Sequence, residues 1–129
     1  MTQERRDKIV ADHPLLFSYP IGTFFDCADG WLDLIEDLAN KLEPLIKKFI
    51  SENPSESAKD FPCASQVKEK YGTLRFYMLT ETDEMSKLVH EAEDKSAKIC
   101  ENCGKEGRLR GDHWYYTLCD ECWEKRSNR

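Results

Sequence analysis

Four cysteines near the end of the sequence are arranged as two Cys-x-x-Cys pairs. The stretch CENCGKEGRLRGDHWYYTLCDEC contains both pairs, with fifteen residues between them. Two intervening residues let both sulfurs of a pair turn toward one ion, and zinc is commonly held tetrahedrally by two such pairs. Gly104, directly after the first pair, suits the tight turn that this chelating loop requires. The spacing therefore predicts one bound Zn²⁺ with four ligands: Cys100, Cys103, Cys119 and Cys122.

The same residue types indicate a structural ion and not a catalytic one. A catalytic zinc usually has three protein ligands and an open position, whereas four cysteines close the tetrahedral shell. A thioredoxin-like redox site needs only one Cys-x-x-Cys pair, and it lies in a βαβ pattern that this sequence does not show. His113, inside the spacer, is an alternative ligand in place of one cysteine. We therefore expect a protein that is not an enzyme.

Basic and aromatic residues are interleaved between the two cysteine pairs. Such a mixture can serve nucleic acid, because cations meet phosphates and rings stack on bases. It can equally supply the small core that docks a metal-binding hairpin on its neighbour. The candidates for partner contact in this spacer are Arg108, Arg110, Trp114 and Tyr115.

A second candidate surface is acidic and lies where the longest predicted helix begins. Its carboxylates are spread over about three helical turns, where they can steer a basic protein partner toward the chain. Helix capping and solvation are the alternative role. The cluster consists of Asp26, Asp29, Asp33, Glu36 and Asp37.

Composition narrows the class of protein. The chain has 129 residues and a formal net charge of -6, which disfavours general binding to phosphate backbones and suits a basic protein partner. No apolar run is long enough to span a membrane, and the start MTQERRDKIV lacks the apolar core of a secretory signal. We expect a cytoplasmic protein of a bacterial cell, in which Cys27 and Cys63 are small buried hydrophobic residues.

The elements that position these residues follow from hydrophobic periodicity. Residues 2–13 predict a first helix, and apolar residues at helical spacing predict a long helix from an N-cap at Asp29 to residue 50. Pro44 predicts a kink or a division of that helix. Alternation about Gly72 predicts a β-hairpin, and Thr82 is the expected N-cap of a further helix that leads to the cysteines.

The predicted fold is α+β, with two to three helices packed with a β-hairpin. We expect a helical and hairpin body over residues 1–97. Residues 98–129 are expected to form a zinc-binding module continuous with the last long helix, and we call these residues the metal module.

Three blocks of sequence carry a resemblance to a known family. DGWLDLIEDL, SQVKEKYGTLRFYM and AEDKSAKICENCGKEGRLRGDHWYYTLCDEC resemble a family of small phage and prophage proteins with a C-terminal zinc-ribbon-like Cys₄ module. The blocks cover most of residues 26–122. The family carries no assigned chemistry, so the resemblance implies the zinc ribbon and a phage origin only.

The general design is also similar to that of a zinc-bearing anti-CRISPR inhibitor of a type II Cas9. Such inhibitors block their effector by binding it, and Cas9-type effectors expose positively charged nucleic-acid channels. The resemblance therefore implies a protein-binding inhibitor of a Cas9-like nuclease. The alternative is a zinc-ribbon nucleic-acid-binding or transcription-associated module that uses Arg108 and Arg110. A third possibility is an accessory protein whose zinc serves folding alone.

Overall fold

The computed structural model of the chain describes residues 2–19, 25–54 and 61–127. Within these ranges the fold is α+β, as the sequence predicts, with four α-helices, a three-stranded sheet and a two-stranded hairpin. In chain order the elements are α1 (Thr2–Asp12), β1 (Phe25–Asp26), a 3₁₀ turn (Asp29–Trp31), α2 (Leu32–Glu52), β2 (Ala64–Lys70), β3 (Thr73–Met78), α3 (Asp83–Ser96), β4 (Arg108–Arg110), β5 (Tyr116–Leu118) and α4 (Asp120–Ser127).

The long helix α2 supplies the centre of the core. It continues through Pro44 as one α-helix, so the predicted division there is wrong, and a kink stays a prediction. Proline removes one backbone hydrogen bond. Leu42 and Ile46 on either side are fully buried, and their burial offsets that loss.

The predicted N-cap of α2 is also wrong. The α-helix begins at Leu32, after the 3₁₀ turn, and neither Ala28 nor Trp31 makes a side-chain capping hydrogen bond. The carboxylate of Asp29 instead accepts a hydrogen bond from the Arg6 guanidinium at 2.8 Å. The Arg6 side chain of α1 therefore binds the Asp29 carboxylate that the sequence predicts as the cap of α2.

The predicted hairpin is present and joins β2 to β3. Its two-residue turn has φ values of 55° at Tyr71 and 81° at Gly72, and this left-handed pair is typical of the tight turn that matches strand twist. Val67 lies opposite Phe76, and both side chains are buried. The short strand β1 pairs in parallel with β2 and makes it the central strand.

Helix α3 covers the outer edge of the sheet with its own side chains. Ser96 Oγ accepts the Leu74 N–H at 2.9 Å, and a Glu93 carboxylate oxygen accepts the Phe76 N–H at 2.9 Å. These bonds satisfy donors that would otherwise form an open strand edge. Thr82 is the N-cap of α3, as predicted, and its hydroxyl accepts the Met85 N–H at 3.3 Å.

The core joins the inner faces of α2, α3 and the sheet. Trp31, at the start of α2, is fully buried, and so are Leu16 from the turn after α1 and Leu74 from β3. Glu43 is buried on α2, where its two carboxylate oxygens accept the backbone N–H groups of Leu15 and Leu16 at 3.0 and 2.8 Å. The same bonds fix the turn after α1 against the long helix.

Helix α3 ends at Ser96, and the three residues Ala97–Ile99 lead from it to Cys100. None of the described helices combines the length and apolar character required to cross a membrane.

Candidate metal centre and its surroundings

The structure brings the four predicted cysteine ligands together. Their sulfur atoms all lie within 4.8 Å of one another, and the sulfurs of Cys103 and Cys119 are 3.6 Å apart. Four sulfurs around a tetrahedral zinc, with Zn–S bonds of about 2.3 Å, are separated by about 3.8 Å. The cluster therefore has the size that one such ion requires, whereas His113 is not among its members.

The first cysteine pair lies in a turn that directs backbone N–H groups at sulfur. The Gly104 N–H donates to the Cys100 carbonyl at 2.9 Å, and Gly104 has a φ of 82°, as the sequence predicts for this position. Burial raises the pKa of the Cys100 thiol, but hydrogen bonds from the backbone N–H groups of Asn102, Cys103 and Cys119 lower it to about 6. The turn thus favours the thiolate, which is the form that binds a metal.

The environment of the fourth cysteine favours a cation within the cluster. Burial raises the pKa of Cys122 to about 12, and the neighbouring sulfurs of Cys119, Cys100 and Cys103 act in the same direction. Four thiolates at this separation repel one another, so they do not all ionise without a positive charge between them. A divalent ion supplies that charge and displaces the protons.

The hairpin β4–β5 and the helix α4 position the second cysteine pair. Cys119 follows β5 directly, and Cys122 lies in the first turn of α4, with its N–H donating to the Cys119 sulfur at 3.4 Å. Arg110 on β4 donates to the Leu118 carbonyl at 2.9 Å and to the Asp120 carboxylate at 2.5 Å. Its side chain is only 10% exposed, so its guanidinium is engaged inside the metal module.

Arg108 lies on the same strand but in a different environment. Its side chain is 76% exposed, and its guanidinium is 3.9 Å from the Asp120 carboxylate. Of the two arginines predicted to contact a partner, Arg108 therefore presents its charge to solvent.

The metal module is attached to the body at the start of α2. The Gly30 N–H donates to the Glu101 carbonyl at 2.7 Å, and the Trp31 indole N–H donates to the Ile99 carbonyl at 2.9 Å. The backbone between Cys100 and Glu101 packs so closely on Gly30 that a side chain there would overlap it. These contacts join residues about 70 positions apart in the sequence.

A second attachment lies at the turn of the β2–β3 hairpin. Thr117 on β5 is fully buried, and its hydroxyl donates to the Gly72 carbonyl at 2.5 Å. Its N–H donates to the Glu101 carboxylate at 2.9 Å, and its carbonyl accepts the Glu101 N–H at 2.9 Å. Burial raises the pKa of Glu101 to about 7, while the Thr117 N–H acts in the opposite direction. The metal module is thus held at two separate points of the body.

Exposed aromatic side chains meet where the hairpin turn touches the metal module. Trp114 is 66% exposed and Tyr115 is 37% exposed, so both predicted contact residues reach solvent. The structure adds Tyr71 from the hairpin turn, also 66% exposed, which the sequence analysis missed. Together with polar neighbours these rings line a groove of about 310 Å³, the aromatic groove, whose lining residues are Glu69, Lys70, Tyr71, His113, Trp114 and Tyr115.

Most of the predicted acidic surface forms ion pairs with arginines of α1. Arg5 forms ion pairs with Asp33 and, at 3.4 Å, with Glu36. Arg6 pairs with Asp29 at 2.8 Å and also donates to the backbone carbonyl oxygens of Phe25 and Cys27. The carboxylates therefore hold the first two helices together.

Part of the acidic surface still faces solvent. Asp26 is exposed, and the side chains of Asp33 and Asp37 are 89% and 57% exposed. Asp37 pairs with Lys41 at 3.1 Å across one turn of α2. Nearby cations thus offset much of the charge of the cluster, and the exposed remainder is moderately acidic.

The two cysteines outside the cluster lie in or near the core. Burial raises the pKa of the Cys27 thiol to about 11, and burial also raises the pKa of Cys63, which is buried. Cys63 is buried, as predicted, whereas the prediction of full burial is wrong for Cys27, which is partly buried and packs against the core.

No family model, curated protein or solved structure matches the chain. The resemblance to phage proteins and to an anti-CRISPR inhibitor therefore stays a prediction, and function is inferred below from the metal centre and the exposed surface.

Proposed function

We propose that the chain binds one structural Zn²⁺ and acts as a protein-binding module without a catalytic step of its own. Four cysteine sulfurs within 4.8 Å of one another support the zinc, since this ligand set is typical of structural sites. Four thiolates fill the coordination shell, which leaves no position for a substrate. The ion's role is then to hold β4, β5 and α4 against the body.

The aromatic groove is the observation that carries the binding proposal. Tyr71 and Trp114 are each two-thirds exposed although they belong to different elements, and both line this groove. Aromatic side chains dominate the binding energy of protein interfaces, and exposed clusters of large apolar groups mark such sites. The metal module places Trp114 beside the hairpin turn, so folding of the module and formation of the groove go together.

The partner that best suits this chain is a basic protein. The net charge of -6 favours encounter with a cationic surface, and the exposed Asp33 and Asp37 contribute to that field. Combined with the resemblance stated above, this leads to a phage-encoded anti-CRISPR inhibitor acting in the bacterial cytoplasm on a Cas9-like nuclease. Inhibition would follow from occupancy, because an acidic protein bound in a nucleic-acid channel excludes the guide or target.

The alternative, a zinc-ribbon nucleic-acid-binding module, is favoured by one observation. Arg108 presents a solvent-exposed guanidinium on the same hairpin that carries Trp114 and Tyr115. Arg110, however, is engaged with Leu118 and Asp120 within the module. The acidity of the whole chain also opposes approach to phosphates.

Binding of the zinc-loaded chain to a purified Cas9-type nuclease without nucleic acid, followed by calorimetry, tests the proposal. Trp114→Ala is expected to weaken binding by at least about ten-fold, as hot-spot residues do. Tyr77→Ala is the matched control, because Tyr77 is 40% exposed on β3 but does not line the aromatic groove. Charge reversal at Asp33 and Glu36 is expected to slow association.

Two results would favour the alternative over this proposal. One is tight binding of single-stranded DNA or RNA with a steep dependence on salt. The other is loss of that nucleic-acid binding in Arg108→Ala, together with no detectable binding of the chain to the nuclease.

A further inference from the structure

The lining of the aromatic groove combines aromatic rings with a carboxylate that is held by a hydrogen bond. Glu69, at the end of β2, is half-buried, and its Oε2 accepts the Gly72 N–H at 2.7 Å. This bond holds the carboxylate against the backbone of the hairpin turn that carries Tyr71. Trp114 and Tyr115 also line the groove and belong to the loop between β4 and β5.

This combination is suited to a cation. The face of an aromatic ring is electronegative, and Trp and Tyr attract ammonium and guanidinium groups within about 6 Å of the ring centre. A carboxylate in the same wall adds direct charge attraction. Trp114, Tyr71 and Glu69 thus provide two aromatic rings and one carboxylate around a single space.

Lys70 shows that a ring of this groove already attracts a cation. Its Nζ lies 5.6 Å from the centre of the Tyr71 ring, and Lys70 itself is exposed. A lysine ammonium on a flexible stem can move aside into water when a ligand enters. Within the groove it acts as a competitor for the ring face.

We propose that the aromatic groove receives the cationic side chain of an arginine or lysine from a basic protein partner. The inference rests on the proposed protein-binding function and specifies which chemistry the groove recognises. The ligand's charge would lie between the Tyr71 and Trp114 rings, with the Glu69 carboxylate as its counter-ion. A phosphate ligand would gain nothing from Glu69 and would be repelled by its charge.

Tryptophan indole signals in a nitrogen–hydrogen NMR spectrum of the isotope-labelled, zinc-loaded chain provide the test. The chain has three tryptophans, of which Trp31 is buried in the core, Trp123 lies under Arg126, and Trp114 is in the groove. The probe is a short glycine–arginine peptide, and the same peptide with glutamine in place of arginine is its control. The arginine peptide is expected to shift the Trp114 signal alone, and the glutamine peptide is not.

Two matched variants then separate a cation from a nucleic acid. Glu69→Gln keeps an acceptor for the Gly72 N–H and removes the negative charge. This variant is expected to reduce the affinity for the arginine peptide about five-fold. Lys70→Gln removes the competitor and is expected to maintain or strengthen binding. An unshifted Trp31 signal shows that each variant is folded.

The inference is overturned if the arginine peptide leaves the Trp114 signal unmoved. It is also overturned if oligothymidylate shifts the Trp114 signal and Lys70→Gln weakens binding of the peptide or of the oligonucleotide. Failure here is distinguishable from failure of the proposed function. If nuclease binding still depends on Trp114 while Glu69→Gln has no effect, the protein interface stands and only the cation assignment falls.

Discussion

Replacing Gly30 with alanine tests how the metal module is attached to the body. A Cβ at this position would lie 2.5 Å from the carbonyl carbon and 2.6 Å from the carbonyl oxygen of Glu101, and closer still to the Cys100 oxygen. These are backbone atoms, so no side-chain rotation relieves the overlap. The two segments must separate, which breaks the 2.7 Å bond from the Gly30 N–H to the Glu101 carbonyl.

The expected loss of stability follows from those contacts. Each hydrogen bond contributes about 1 kcal/mol net, and separation also strains the bond from Trp31 to Ile99. Overpacking in a well-packed region costs a further 1–3 kcal/mol, roughly. We expect Gly30→Ala to lower the free energy of unfolding by about 3 kcal/mol, equivalent to a decrease in Tm of about 10 °C at this chain length.

The direction of the change in the free energy of unfolding shows whether the metal module is docked closely on Gly30, so no separate control variant is needed. Gly30 lies in a 3₁₀ turn with an ordinary negative φ, so alanine adds no backbone strain. In the absence of the close approach, alanine would stabilise the chain by about 0.5–1 kcal/mol through reduced entropy of the unfolded state. Denaturant unfolding of the zinc-loaded chain, followed by circular dichroism, measures the difference. Neutral or increased stability would refute the close docking of the metal module on α2.

Three further outcomes are expected. Arg110→Gln should lower the free energy of unfolding by about 1–2 kcal/mol, because the hydrogen bonds of Arg110 lie inside the metal module. The control Arg108→Gln should change it by less than about 0.5 kcal/mol, since Arg108 is exposed. Equal effects of the two variants in denaturant titrations would contradict these different environments. Thr82→Ala should cost about 1 kcal/mol through loss of the α3 cap, with Thr82→Ser as the conservative control, and no difference between the two variants would count against the cap. Alkylation of Cys27 in the native chain should be slow at mildly alkaline pH, because its raised pKa of about 11 leaves little thiolate. Rapid labelling, detected by peptide mapping, would contradict the raised pKa of this partly buried thiol.

The parts of the structure that the sequence predicted are those with local causes. The four cysteines of the two Cys-x-x-Cys pairs come together across a short hairpin, and Thr82 caps a helix through a bond to a residue three positions away. Gly72 likewise needs only its own backbone to form a hairpin turn. Spacing and residue type were sufficient in each case.

The parts that the sequence did not predict depend on contacts between distant residues. Asp29 was expected to cap α2, but Arg6, from a separate helix, takes its carboxylate. Nothing in the sequence around Tyr71 predicts that it lines a binding groove, because the groove forms only when the metal module brings Trp114 near the hairpin turn. Periodicity describes one element at a time, and these features arise where two elements meet.

The closed four-sulfur shell is the claim on which the proposed function depends most directly. X-ray absorption at the zinc edge, on the full chain purified under reducing conditions, measures the ligands of the ion without a crystal. We predict one zinc per chain with four sulfur neighbours at about 2.3 Å. A nitrogen or oxygen neighbour in the first coordination sphere, or fewer than four sulfurs, would contradict it.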